Sequence, residues 1–314
     1  MAGFDLLVVG DCNPDLVMVG EQVDPVFGQV ERVLDQAWLV VGGSGSITAC
    51  GAARLGLRTA FVGMVGDDAF GRFMLDALTE RGVDVSSCIV DPRRRTGVSV
   101  LLLRPGGTDR AILTAPGAAA SLAASDVPAD LLAASRHVHV SSYFLQDSLR
   151  PGLPSLVDRA RSSGATTSID PNWDPADTWD GGLLDLIARC SVFLPNEAEA
   201  TRIAGVGVGD ARDAARALAD VGPLVAVKCG RSGAVTVIGG EPLSIPAPEV
   251  ETVDATGAGD SFDAGFLAGF LAGWDPVRAT GLGCACGALS TRELGGTAAQ
   301  PTMEEALAAA EAHP

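Results

Sequence analysis

The chain has 314 residues, 47% of them hydrophobic, which is enough to bury the core of one large domain. Its 39 acidic against 22 basic residues give a formal net charge of −17 and argue against nucleic acid or an anionic membrane as a broad partner. Seven cysteines, an odd number with no C-x-x-C pair, argue against a disulfide framework and read as reduced, mostly buried thiols.

The opening residues Met1-Ala2-Gly3-Phe4-Asp5 carry no basic segment, and the apolar run 6–9 is too short for a secretory signal, so a cytoplasmic protein is expected. Residues 5–10 form a short Val/Leu-rich run ending in glycine, the pattern of a strand buried on both faces. Similar runs recur at 59–62, 137–140, 166–169, 192–194 and 224–227, and helical patterns lie between them at 46–55, 69–81, 153–163, 197–203 and 210–220. This alternation predicts an α/β fold with a doubly wound, mainly parallel sheet flanked by helices, whose ligands gather outside the carboxyl ends of the strands. Two stretches break the rhythm. Residues 12–41 and 96–114 read as β structure, the second as a hairpin of 98–103 and 111–114 around Pro105-Gly106-Gly107, and they predict a small separate sheet. His137 and His139 share one face of a strand, and no further ligand stands at a metal-like spacing, so both read as structural. The apolar stretch 264–274 is about half the length a bilayer needs. With Gly265, Gly269 and Gly273 it reads as a closely packed buried helix. No linker divides the chain, so residues 1–314 are expected to form one domain.

The strongest local signal is Asp254-Ala255-Thr256-Gly257-Ala258-Gly259-Asp260, followed by that apolar helix. Gly257 and Gly259 let the backbone turn tightly, so N–H groups around Ala258 can point outward where a helix begins, forming an anion hole. Asp260, in the first helical turn, can accept the proton of an attacking hydroxyl while the hole holds a phosphoryl group. The plainer reading is a glycine turn with Asp260 as a helix cap. Lys228 is the single lysine in the chain, which suggests a task arginine cannot perform.

Residues 253–266 resemble the second signature of the ribokinase-like, or PfkB, carbohydrate kinases. The resemblance runs along the chain in order: Gly10-Asp11 with Asp15, then Gly42-Gly43-Ser44-Gly45, then Gly63 with Gly66-Asp67-Asp68 and Gly71, then Asn196 to Glu199, then Lys228, Gly230 and Gly233. It implies an ATP-dependent kinase in which Asp15, Gly42 and Gly43 hold the acceptor and Asp260 is the base. It places Asn196, Lys228, Gly230, Gly233, Thr256, Gly257 and Gly259 on the nucleotide side. Asn196 and Glu199 are implied to act through water on Mg²⁺, and Asp254 with the Thr256 carbonyl and carbonyls of 290–295 to hold a monovalent cation such as K⁺. The small sheet resembles a lid that also clasps a homodimer, and Arg110 resembles an arginine reaching substrate or phosphate.

The family's first signature carries an asparagine where this chain has Ile47. An isoleucine leaves a substrate hydroxyl unsatisfied, so an altered acceptor pocket is expected. Asp170-Pro171-Asn172 resembles fructokinase-like and 2-keto-3-deoxygluconate kinase-like members and points to a sugar or sugar acid. A nucleoside kinase of the same fold is the nearest alternative, with Phe27, Trp38, Tyr143 and Phe144 as stacking candidates. A non-catalytic sugar or nucleotide sensor is the alternative of another class. A Walker-type kinase is excluded, because no G-x-x-x-x-G-K-[ST] occurs.

Overall fold

The computed structural model describes residues 3–104, 110–205 and 207–312. Its main sheet has eight strands. From one edge to the other they are β14 (Glu241–Ile245), β13 (Ala234–Ile238), β12 (Leu224–Lys228), β11 (Val192–Phe193), β10 (Thr166–Ile169), β9 (Ser135–Val140), β1 (Phe4–Val9) and β4 (Thr59–Val62). From β4 to β12 every pairing is parallel, as the predicted alternation requires; β13 and β14 extend the edge as an antiparallel hairpin that the sequence reading missed.

Successive residues of β1 feed opposite sides of the sheet. Leu7 and Val9 join Val138, Val140 and Ile169 in one core, while Leu6 and Val8 join Phe61, Phe262 and Phe266 in the other. The helices fall within a residue or two of their expected bounds, at Ser44–Arg54, Ala69–Glu80, Leu153–Ser162, Glu197–Ala204 and Ala211–Ala219. The glycine-spaced helix Ala258–Leu271 packs closely on Pro276–Ser290: a Cβ on Gly265 would stand 2.7 Å from the Cys286 sulfur. No helix among the described residues is long and apolar enough to cross a membrane.

The small sheet contains β3 (Gln36–Val41), β2 (Pro14–Val19), β7 (Thr96–Leu103) and β8 (Arg110–Gly117), in that order. The hairpin is longer at both ends than the apolar run suggested, and its Pro105-Gly106-Gly107 turn lies outside the described residues. Between β2 and β3 the chain forms turns instead of strand. Val17, Leu101 and Leu103 make a separate core against Val40 and Leu294, which fastens the small sheet to the segment following the Pro276–Ser290 helix. A two-stranded sheet of β5 (Met64–Gly66) and β6 (Ile89–Asp91) completes the strands. His137 and His139 are fully buried and bond Thr166 and Ser168 across β9 and β10, which is the structural role expected of them.

Candidate active site

The polar groups gather at the carboxyl ends of β1, β10 and β12, beside the small sheet. Just beyond β1, the Asp11 carboxylate accepts the N–H groups of Ser44 and Gly45, each at 3.0 Å, and so caps a helix whose own N-cap, Gly43, has no side chain to offer. Asp15, on β2, lies directly over Gly42: a Cβ there would sit 2.0 Å from its Oδ1, so only glycine admits this aspartate. Burial, together with the charges of Asp11 and Asp260, raises the Asp15 carboxyl to about 7.

The second wall is the start of the Ala258–Leu271 helix. Gly257 is its N-cap at φ 74, with backbone of Gly296 only 2.7 Å from where a Cβ would project. Among the described residues the amides of Gly257, Gly259 and Asp260 have no acceptor, while that of Ala258 reaches the Ala255 carbonyl at 3.3 Å. Unfilled N–H groups at a helix start attract negative charge. Asp254 fixes the loop from behind, taking the amide and hydroxyl of Thr256 at 2.9 and 2.8 Å and the amide of Gly295 at 2.9 Å. Arg110, the first residue of β8, reaches from the lid to the Thr256 hydroxyl at 3.4 Å. Asp260 accepts the Ser44 hydroxyl at 2.5 Å. Burial and the nearby Asp170 charge raise its carboxyl to about 7, against the opposing effects of Ser44 and Lys228.

Asp260, with Asp170 and Asp263 beneath it, makes a group of three carboxylates close enough together to suggest a metal site. A cation is already supplied there. The Lys228 ammonium stands 2.7 Å from Asp170 and 3.1 Å from Asp263. Burial works against its charge, but the two carboxylates hold it firmly protonated. Asp170 is held below the ordinary carboxylate range by the same ammonium despite its burial, whereas burial pushes Asp263 well above it.

The profile of the pfkB family carbohydrate kinases matches residues 4–303. The chain belongs to this family. The kinase is 32% identical to a fructokinase of Salmonella typhimurium, over 93% of this chain and 98% of that one. It is also 32% identical to a 2-dehydro-3-deoxygluconokinase of Thermoproteus tenax, over 85% and 84%. A fructokinase double mutant from Vibrio cholerae O395, solved with fructose, ADP and potassium ion, superposes with a TM-score of 0.79 at 27% identity, over 97% of this chain and 98% of that one.

Not every residue expected at the site stands free in it. In the kinase the Lys228 ammonium bonds Asp170 and Asp263, and its stem passes under Gly259 and so supports the glycine loop from below. Gly230 and Gly233 bound the short turn between β12 and β13, and Gly233 is needed because a Cβ would meet the Ile245 carbonyl at 2.0 Å. Asn196 and Glu199 form a reciprocal capping box, Asn196 N–H to Glu199 at 2.8 Å and Glu199 N–H to Asn196 at 2.9 Å. Burial, with the charge of Asp170, lifts the Glu199 carboxyl to about 7. Ile47 is 3% exposed, and its side chain lies against Gly257 and Gly296. From its place on the Ser44–Arg54 helix it supports the glycine loop.

Sequence reasoning quoted Asp11 and Ser44 as parts of motifs without giving either a role, and it missed Asp263. Asp263 had a readable signal: a carboxylate one turn after Asp260, inside an apolar helix, needs a cation, and the chain offers a single lysine. Ser44 had none, since its partner is 216 positions away.

Proposed function

We propose that this kinase transfers the γ-phosphoryl group of ATP to a hydroxyl of a small sugar or sugar acid of the fructose or 2-keto-3-deoxygluconate type. The observation that carries the reading is Asp260, a carboxylate in the first helical turn beside the open amides of Gly257 and Gly259, its carboxyl raised by burial to about 7. Asp15 accepts a hydrogen bond from the acceptor and Asp260 takes the proton of the attacking hydroxyl. The acceptor oxygen bonds to the γ-phosphorus, the bond to the bridging oxygen breaks, and ADP leaves with that electron pair. The helix-start amides stabilise the charge spread over the phosphoryl oxygens in flight. Closure of the lid, with Arg110 on Thr256, excludes water from this step.

Magnesium accompanying ATP supplies neutralising charge on the phosphates. Asn196 and Glu199 suit a role through water, because their polar atoms already bond each other. Asp254 suits the neighbourhood of a monovalent cation such as K⁺. It is 1% exposed, forms no ion pair among the described residues, and lies beside the Thr256 and Gly295 backbone.

The lid supports a homodimer. Register places Leu16, Leu39, Val100 and Leu113 in one row on the side of the sheet away from Asp15, and Leu39 and Leu113 are exposed there. The seven free cysteines suit a cytoplasmic setting. A nucleoside acceptor draws support from one residue, Trp38, which shares the Asp15 side of the lid and is 36% exposed. ADP release with Mg-ATP and a panel of fructose, 2-keto-3-deoxygluconate, ribose and adenosine tests the proposal. Turnover with one of the first two is expected; turnover with adenosine alone would overturn the acceptor class.

A further inference from the structure

We infer that Ser44 is a positioning residue for the base: its hydroxyl locks one oxygen of Asp260 and leaves the other free to receive the acceptor's proton. The inference rests on the proposed role of Asp260. Ser44 is 8% exposed and is held at both ends, its N–H by Asp11 Oδ2 at 3.0 Å and its Oγ by Asp260 Oδ1 at 2.5 Å. Asp260 Oδ2 accepts no hydrogen bond among the described residues, so the Ser44 hydroxyl is the one described group fixing this carboxylate's rotation. The tie joins the end of β1, the start of the Ser44–Arg54 helix and the start of the Ala258–Leu271 helix into one frame. A hydroxyl is suited to this place. It donates one proton to a carboxylate and adds no charge, whereas a basic side chain would neutralise the base.

The charged groups facing Asp260 are Asp11 and Asp15 from the first strands, Asp170 beyond β10, Glu199, Lys228 on β12, and Asp263 one turn on. Five of these six are acids that disfavour its ionisation, and Ser44 joins Lys228 in favouring it. Loss of the Ser44 hydroxyl therefore removes both an orientation and a stabiliser of the ionised base, and the second loss is felt most at low pH.

The test uses the full-length kinase with Mg-ATP and whichever of fructose or 2-keto-3-deoxygluconate it phosphorylates, together with the slow hydrolysis of Mg-ATP without acceptor. Ser44→Ala is expected to lower kcat about tenfold at pH 8, and several times further at pH 6, with KM for ATP within about twofold. Ser44→Thr, which keeps the hydroxyl, is expected to recover most of the loss, and it carries the test with Ser44→Cys if the alanine variant does not fold. A Ser44→Ala enzyme with unaltered kcat at both pH values, or with an equal loss at both that Ser44→Thr does not repair, would overturn the inference. Asp260→Asn serves as the separate control: if it retains both activities, the assignment of the base fails, not the role of Ser44 alone. If no sugar is phosphorylated, the hydrolysis reaction still reads the dependence on Ser44.

Discussion

The ammonium of Lys228 and the carboxylate of Asp170, 58 positions apart in sequence, meet at 2.7 Å beneath the anion hole, with Asp263 closing the other side at 3.1 Å. A compact ammonium fits between two carboxylates where a planar guanidinium does not, which suits lysine to this position. Without it the Asp170 charge would act uncompensated on Asp260 and drive that carboxyl further from the ionised form a base needs.

Lys228→Met is therefore expected to destabilise the fold by about 3–5 kcal/mol, because it leaves the ionised Asp170 buried without its cation. Lys228→Arg keeps the charge but not the fit and should fall between the two. Urea unfolding measures both, and a methionine variant as stable as the parent would show that the triad does not carry charge in the native state.

Asp260→Asn should lower kcat by roughly 10² to 10⁴, since an amide cannot accept the acceptor's proton. Calorimetric titration of ATP should be nearly unchanged, because the helix-start amides that face the phosphate remain. Near-normal turnover would remove Asp260 from the mechanism.

Gly42→Ala should raise KM for the acceptor more than it lowers ATP binding, since a methyl group there displaces Asp15 and leaves the loop at 257–259 in place. Steady-state kinetics with each substrate varied in turn separates the two. Equal effects on both would mean that Asp15 does not belong to the acceptor side.

Ile47→Asn should lower kcat and leave the ranking of acceptors as it was, because this side chain lies against Gly257 and Gly296. A changed ranking in the sugar panel would return Ile47 to the acceptor pocket.

Stability and activity should respond to pH in opposite directions. The carboxyls of Asp15 and Asp260 stand at about 7, raised from 3.8, so between these values the native state holds protons that the unfolded chain has released. Their contribution to stability grows as pH falls through that window and is lost as pH rises toward 7. The base must be ionised, so kcat/KM should instead decline below about pH 7. A higher melting temperature at pH 6 than at pH 8, with a smaller difference in Asp15→Asn, is the expected result; the reverse order would contradict these pKa values.

The chain by itself determined the order of its elements and the loop that carries the chemistry. Short continuous runs of Val and Leu bounded by glycine are local signals, and so are Gly257, Gly259 and Asp260, whose arrangement needs only a turn and the first amides of a helix. What only the tertiary structure decided is which side chains meet. Ser44 bonds Asp260, Lys228 bonds Asp170 and Asp263, and Ile47 lies against the backbone of Gly257 and Gly296; each pairing joins segments that strand order and helix rotation bring together, and no local pattern records either. The β13–β14 hairpin was missed for a related reason: an antiparallel extension of a parallel sheet follows from the free edge of β12, a property of the assembled sheet.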